Sequence, residues 1–465
     1  MGGRCLAEPI NVSGSGLCFA AFVGGRACEV DLPQQPSHER ASGSNQAGGD
    51  HAESFGGDQR AGVAAGVLSG IMEESPGRAT RNSDAAADVV WDVLVVGAGP
   101  AGSSAARVAA EGGASVLLID RARFPRYKTC GGGLIGISLG ALPRSVLATV
   151  EQEVREVRFS LRGGAPQTHR RALPFLALVQ RERLDEALAQ AAVAAGALFR
   201  DSVVVKSVEE ADGLVTVTTD GAPLRARVVI GADGTSGRIG RYVGVRNRGT
   251  DLALEVELTR TPESRAYDGS ISFDWGSAPG SYAWVFPKEK VLTVGVIQAK
   301  GEPEQTRAYL DSWLHSTGLD HLETGHSSGH LTQWREPDSP LRRGSVLVAG
   351  DAAGLLDPWT REGISYALRS GCWAGEAAVA ATTGEPVGDA LDSYPRRVLR
   401  ELDPDIRAGE RLLHFFEKHP RIVHLALVHS ATGIRLFLAV CDGTKTLSGI
   451  LSHRPLSRAL RVFGS

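Results

Sequence analysis

Cys130 stands directly before Gly131, Gly132 and Gly133 in the stretch RFPRYKTCGGGL, residues 123 to 134. A thiol beside backbone without side chains suits a place where something flat comes close to the main chain. A thiol that is protonated at neutral pH can donate its proton or simply shape a pocket. Gly97, Gly99 and Gly102 form GxGxxG, with Asp120 following 23 residues after Gly97. In that pattern the first glycine permits a tight turn, the second lets a pyrophosphate reach the backbone, and the third lets helix and strand pack closely. Asp120 can accept hydrogen bonds from a ribose. Two more glycine–aspartate pairs, Gly231-Ala232-Asp233-Gly234 and Gly350-Asp351-Ala352-Ala353, each follow a short apolar run. Tyr282, Trp284 and Phe286 alternate, so they share one face of a strand, either packed in a core or lining an apolar channel.

These residues need an α/β frame. VVWDVLVVGAGPAG predicts a buried strand, a glycine turn and a helix over 101–112, whose N-terminus offers amide donors to phosphates. A second buried strand, ASVLLID, ends at Asp120, and VQRERLDEALAQAAVAAGA (179–197) reads as a helix. Strands follow around VVVKSV, LVTVTT and RARVVIGADG. From 251 to 298 the pattern becomes antiparallel strands bounded by turns, and SVLVAGDAAG (345–354) returns to α/β character. Beyond about 391 the chain reads as helical.

The predicted organisation is α/β: a Rossmann-like nucleotide-binding domain built from residues 89–160, 178–245 and 341–390. An antiparallel-sheet substrate domain is inserted as 161–177 and 246–340. A helical segment, 391–465, closes the chain. Residues 1–88, rich in Gly, Ser and Ala, read as a disordered extension, with Met72 as a candidate start.

Composition excludes several classes. A net charge of −3 gives no reason to expect a nucleic-acid partner. The six cysteines form no CxxC, and no His/Cys cluster has metal-ligand spacing, so neither a metal site nor a dithiol redox centre is expected. Only Cys130, Cys372 and Cys441 lie in the ordered part, too few for an ordinary iron–sulfur cluster. The run 422–440 is nearly long enough to span a bilayer, but His424, His429 and Arg435 interrupt it. It reads as helices packed on the protein or lying on a membrane surface.

Together the three nucleotide motifs resemble the FAD-binding fold of the para-hydroxybenzoate-hydroxylase type. RYKTCGGGL, GSYAWVFPKEKVLTVGV (280–296) and GDAAGLLDPWTREGISYALRSG (350–371) are similar to the geranylgeranyl reductase family, flavoproteins that saturate isoprenoid double bonds. The resemblance implies FAD, with NAD(P)H or another reduced carrier as a transient donor. It places Gly350 and Asp351 at the ribityl–pyrophosphate region and Arg181 as a flavin contact. It also runs the CGGG turn beside the isoalloxazine, and starts a helix at Pro358, Glu362, Gly363 and Ile364 near its pyrimidine edge. Pro100, Ala101, Arg121, Lys128, Gly131, Gly132, Asp233 and Gly234 complete the expected cofactor contacts. Arg361 departs from the family, which has glycine there.

An isolated trisubstituted alkene resists hydride attack. Protonation to a tertiary cation, followed by hydride capture, is the expected route, with Tyr282 and Trp284 as cation-stabilising faces and Cys130 as proton donor or pocket wall. The expected substrate is a prenyl lipid, a menaquinone side chain or a geranylgeranyl group. An aromatic monooxygenase on the same fold is the alternative, and a protein that only presents prenyl lipids ranks third. Residues 395–465 carry 12 Lys/Arg against 6 Asp/Glu. That surplus suits either a solvated helical face or peripheral contact with the inner face of a membrane, the location expected being cytoplasmic.

Overall fold

The computed structural model describes residues 89–301 and 303–452. The expectations for 1–88, Met72 and residues 453–465 lie outside the described residues. Val93–Val96, Val116–Ile119 and Val228–Ile230 are all but fully buried, continuous apolar runs of the kind a parallel sheet covered on both faces requires. Five parallel strands run in the order Val346–Val348, Leu224–Gly231, Val90–Val96, Val116–Ile119 and Leu198–Arg200. Strands Val205–Ala211 and Leu214–Thr219 add to Leu224–Gly231 as an antiparallel excursion. Helix Pro100–Glu111 leaves the first strand at the glycine turn and packs on helix Ile364–Thr382. The two backbones come so close that a Cβ at Gly371 would stand 2.1 Å from the Ala101 carbonyl oxygen. That contact ties the chain's first nucleotide motif to its last.

The second sheet has seven strands. Thr324–Arg335, Asn247–Thr259, Val291–Ala299, Tyr282–Pro287 and Ser270–Trp275 are antiparallel neighbours in that order. Glu156–Leu161, expected to end the nucleotide-binding segment 89–160, belongs instead to this sheet, joining Ser270–Trp275 in parallel where antiparallel pairing was expected, and Gln167–Arg170 completes the edge. Alternation gives the sheet two different faces. Val256, Leu258, Ala283, Val285, Leu292, Val294 and Val296 pack against Leu310 and Trp313 of helix Pro303–Ser316. The opposite face carries Asp251, Ala253, Glu255, Tyr282, Trp284, Phe286, Gly295 and Ile297. Beyond the sheets, helices Val387–Glu401, Asp403–Lys418, Pro420–His429, Ala431–Cys441 and Leu447–Leu451 end the described chain.

Candidate active site

A single cavity of ≈ 1120 Å³ runs from the glycine turn, past Cys130, to the terminal helices. Ordinary small-molecule sites are about 300–1,000 Å³, so this one has room for more than one ligand.

At the nucleotide end the three glycines do different work. Gly97 has φ +102°, and a Cβ there would sit 2.2 Å from the Ala232 carbonyl oxygen; one at Gly102 would sit 1.7 Å from the Gly97 oxygen. Gly99 instead faces open space, with Arg126 Nη2 the nearest heavy atom to an added Cβ at 3.6 Å. Asp120 braces the turn: Oδ2 accepts the Ala98 N–H at 2.8 Å and Oδ1 the Ala122 N–H at 2.9 Å. Arg126 Nη1 is buried without a hydrogen bond, although Asp185 Oδ2 lies 3.1 Å away. Across the turn, Asp233 Oδ2 accepts the Ile239 N–H, its Oδ1 is buried without a partner, and burial pushes the carboxyl's pKa up. An orphaned donor beside an open glycine at a helix N-terminus fits a pyrophosphate, and the unpartnered carboxyl oxygen fits a donor group such as a hydroxyl.

In the middle, the Cys130 backbone N–H donates to Glu255 Oε1 at 3.2 Å, and the Gly132 N–H reaches Cys130 Sγ at 3.4 Å. Burial works against the charge of Arg181. The bidentate pair with Asp185 (2.8 and 2.7 Å) and the bond to Cys130 outweigh that and hold Arg181 charged. The glycines after Cys130 first serve the protein itself. A Cβ at Gly131 would stand 2.9 Å from the Phe286 ring, and one at Gly132, at φ +74°, 2.1 Å from the Val179 oxygen. Lys128 Nζ lies 2.9 Å from His330 Nε2, and the same nitrogen is 3.9 Å from Asp351 Oδ2. Burial lowers the pKa of both Lys128 and His330. Burial opposes the charge on Asp351, but His330 and Lys128 outweigh it and keep that carboxyl below its ordinary range. At the start of helix Ile364–Thr382, Glu362 accepts the Ser365 N–H at 2.7 Å, and burial pushes its carboxyl up to about 7.

The far end is apolar. Tyr282, Trp284 and Phe286 form a row with neighbouring ring centroids 6.0 and 6.5 Å apart, continued by Phe273 and Trp275. The Tyr282 hydroxyl donates to the Thr360 carbonyl at 2.8 Å, and the Arg361 guanidinium lies 5.5 Å from its ring centroid. Arg361 has φ +57°, the left-handed backbone that glycine adopts freely. Its side chain is pinned to Asp251 Oδ2 at 2.8 Å, both groups almost fully buried. Phe415, Leu427, Leu436 and Phe437 of the terminal helices close this end.

Most expected contacts line the cavity, from Gly97, Gly99, Pro100, Ala101, Asp120 and Arg121 through Lys128, Cys130, Gly131, Gly132 and Arg181 to Asp233, Gly234, Asp351, Glu362, Gly363 and Ile364. Three expected cofactor contacts do not. Gly102 is sealed against Gly97. Gly350 faces Ala101 and Ala367, and buried Pro358 packs beside Gly409. Arg126, Tyr127, Glu255 and His330 went unmarked in the sequence. For Glu255 a signal existed: its strand alternates, with an apolar even face and acidic residues at 251, 255 and 257 on the odd one. Among the described residues no acid, His and Cys cluster suited to a metal is present.

The FAD-binding domain family matches residues 90–401. Digeranylgeranylglycerophospholipid reductase 2 of Methanosphaera stadtmanae is 30% identical over 327 residues, 65% of this chain and 81% of that protein. Geranylgeranyl diphosphate reductase of Rhodobacter capsulatus is 31% identical over 306 residues, 62% and 75% of the two chains. Among solved structures, a geranylgeranyl bacteriochlorophyll reductase-like protein from Thermoplasma acidophilum superposes with a TM-score of 0.68 at 23% identity, covering 80% of this chain and 99% of that one. A flavin-dependent brominase shares the fold at a TM-score of 0.62 and 19% identity, with 80% and 99% covered.

Proposed function

The chain belongs to the FAD-binding domain family, within it to the geranylgeranyl reductases, and is an FAD-dependent oxidoreductase; from that premise we propose that it saturates isoprenoid double bonds of a prenyl lipid. One observation carries the reading: the cavity that begins at the glycine turn continues, past Cys130, into an aromatic and aliphatic tunnel. A monooxygenase of small aromatic rings has no use for a tunnel closed by Phe415, Leu427, Leu436 and Phe437. The substrate class is therefore a menaquinone side chain or a geranylgeranyl group.

The Gly99 turn, Arg126, Asp120, Arg181 and the helix beginning at Ile364 would hold FAD, which when reduced would supply a hydride. The protein's own residues do the rest. Arg181 and Arg126, both tied to Asp185, fix positive charge along the flavin's path. Trp284 and Phe286 exclude water beside Gly131 and offer ring faces to a developing tertiary cation. NAD(P)H or another reduced carrier is the proposed donor.

The tail is proposed to take up the lipid at a membrane surface. No single described helix is long and apolar enough to cross a bilayer. Helices Pro420–His429 and Ala431–Cys441 meet at 92° and expose Leu425 and Ile422, the latter at the cavity's apolar end. The test is anaerobic incubation of dithionite-reduced protein with menaquinone and with geranylgeranyl lipids, followed by product masses. A gain of hydrogen pairs on one lipid is the expected result. No gain on any, with FAD bound and reduced, sinks the reading in favour of the monooxygenase.

A further inference from the structure

Glu255 sits in the middle of the second sheet, 1% exposed, with its carboxyl in the cavity wall. Its Oε1 accepts two hydrogen bonds, from the Tyr127 hydroxyl at 3.0 Å and from the Cys130 N–H at 3.2 Å. Its Oε2 is buried and has no hydrogen-bond partner among the described residues. An ionised carboxylate would leave a charged oxygen uncompensated there, at a large desolvation cost. A neutral acid with its proton on Oε2 satisfies the geometry. Burial does push this carboxyl's pKa up; Lys288 pulls the other way and Glu257 adds to the rise.

Tyr127 connects that acid to further hydroxyls. Thr129 Oγ1 donates to Ser328 Oγ at 2.9 Å, Ser328 Oγ to the Tyr127 hydroxyl at 3.3 Å, and Tyr127 to Glu255. Every bond points the same way, from partly exposed positions toward the buried carboxyl. Register sets the other side. Ser328 pairs with Glu255, Glu255 with Gly295, and Gly295 with Trp284, so the four form one transverse rank on the cavity face. Gly295 has no side chain, and the Trp284 indole lies across it, where a Cβ would be 2.2 Å from Cζ2. The indole thus fills the space over Gly295 and brings the aromatic ring toward the acid within one rank of the cavity face.

We propose that Glu255 is the catalytic acid that protonates the alkene, recharged along Thr129, Ser328 and Tyr127. The proposal rests on the prenyl-reductase reading. The O–H bond at Oε2 breaks, and the π pair of the alkene forms the new C–H bond at the less substituted carbon. The tertiary cation would lie against Trp284, and reduced flavin, when bound, would supply the hydride that quenches it. Oε1 of the Glu255 carboxylate takes the Tyr127 proton, Tyr127 that of Ser328, Ser328 that of Thr129, and Thr129 one from water; a half-turn of the carboxyl then returns the O–H to the open side. Tyr127, Ser328 and Thr129 are positioning and relay groups, and Cys130 contributes its backbone amide.

The test uses FAD-loaded protein in anaerobic single turnovers with a geranylgeranyl lipid, plus infrared spectra of the same samples. E255Q should slow product formation about 100-fold or more while keeping its FAD, and E255D should recover part of the rate. Beyond the contribution of Glu362, the wild type at neutral pH should show a protonated-carboxyl infrared band that is missing in E255Q. Y127F, which cuts the relay and spares the acid, should slow repeated turnover and lower the solvent deuterium effect; it replaces E255Q if that variant loses FAD. E255Q within threefold of wild type, or the same carboxyl band in both, overturns the acid role and leaves the reductase reading standing. A wild type that saturates no lipid defeats both.

Discussion

The two ends of the cavity are built on opposite physical plans. The nucleotide end is backbone: glycines at 97, 99 and 102, a helix N-terminus, and carboxylates that hold main-chain amides. The far end is side chain, a row of aromatic rings on one sheet closed by aliphatic residues from helices more than a hundred positions later in the chain. A backbone site tolerates almost no change at its glycines and is specific for the cofactor. A side-chain tunnel can be recut residue by residue, which is how one fold serves reductases and a brominase alike.

The contrast predicts its own largest effect. G99A should fold like the wild type, because a Cβ there has 3.6 Å of clearance from protein. It should still lose FAD affinity about 100-fold, since a phosphate held from the amides forfeits charge-assisted hydrogen bonds worth ~1.5–3 kcal/mol. Flavin titration by fluorescence quenching measures it, and unchanged affinity breaks the backbone account of that end.

The seam between the ends is Arg361, which takes a glycine-like backbone and pairs with buried Asp251. R361G should relieve the backbone yet lose about 3 kcal/mol, because a buried carboxylate is left unpaired. The double variant R361G/D251N should recover most of it in urea unfolding. Recovery failing would mean the pair is not what holds the seam.

On the aromatic side, W284F should keep FAD affinity and lower prenyl turnover about fivefold, the difference in cation–π strength between indole and phenyl being of order 1 kcal/mol. Equal turnover would leave Trp284 a packing role alone.

A separate effect is a pH dependence at the helix start. Glu362 is raised from 4.5 to about 7, so the folded state holds its proton where the unfolded state has lost it. Its contribution is full below about 4.5, declines as pH rises toward 7 and is gone above. E362Q should flatten that part of the stability–pH curve; an unchanged curve would show that Glu362 does not titrate there.

The same contrast explains what could be read beforehand. Backbone plans leave local signatures, so the three glycine–aspartate motifs and the strands around them were legible from spacing alone. The alternation of Tyr282, Trp284 and Phe286 was legible too, but not what faced them. Arg126 and Pro358 show the limit of motifs: one lies beside Gly99 with no pattern of its own, the other sits inside a motif yet turns toward Gly409. Glu255 and its hydroxyls span residues 127 to 328, and only strand register brings them together. The parallel strand Glu156–Leu161 is likewise a product of topology, since its partner Ser270–Trp275 lies far along the chain.

The central claim is that one cavity joins a flavin to a prenyl chain, and a stopped-flow single turnover tests it most directly. Dithionite-free reduced holoprotein is mixed anaerobically with a geranylgeranyl lipid while flavin absorbance is followed. The account predicts that the oxidised flavin spectrum returns without oxygen, one flavin per double bond saturated. A flavin that stays reduced with every prenyl lipid, and reoxidises only when oxygen and an aromatic substrate are added, would contradict it.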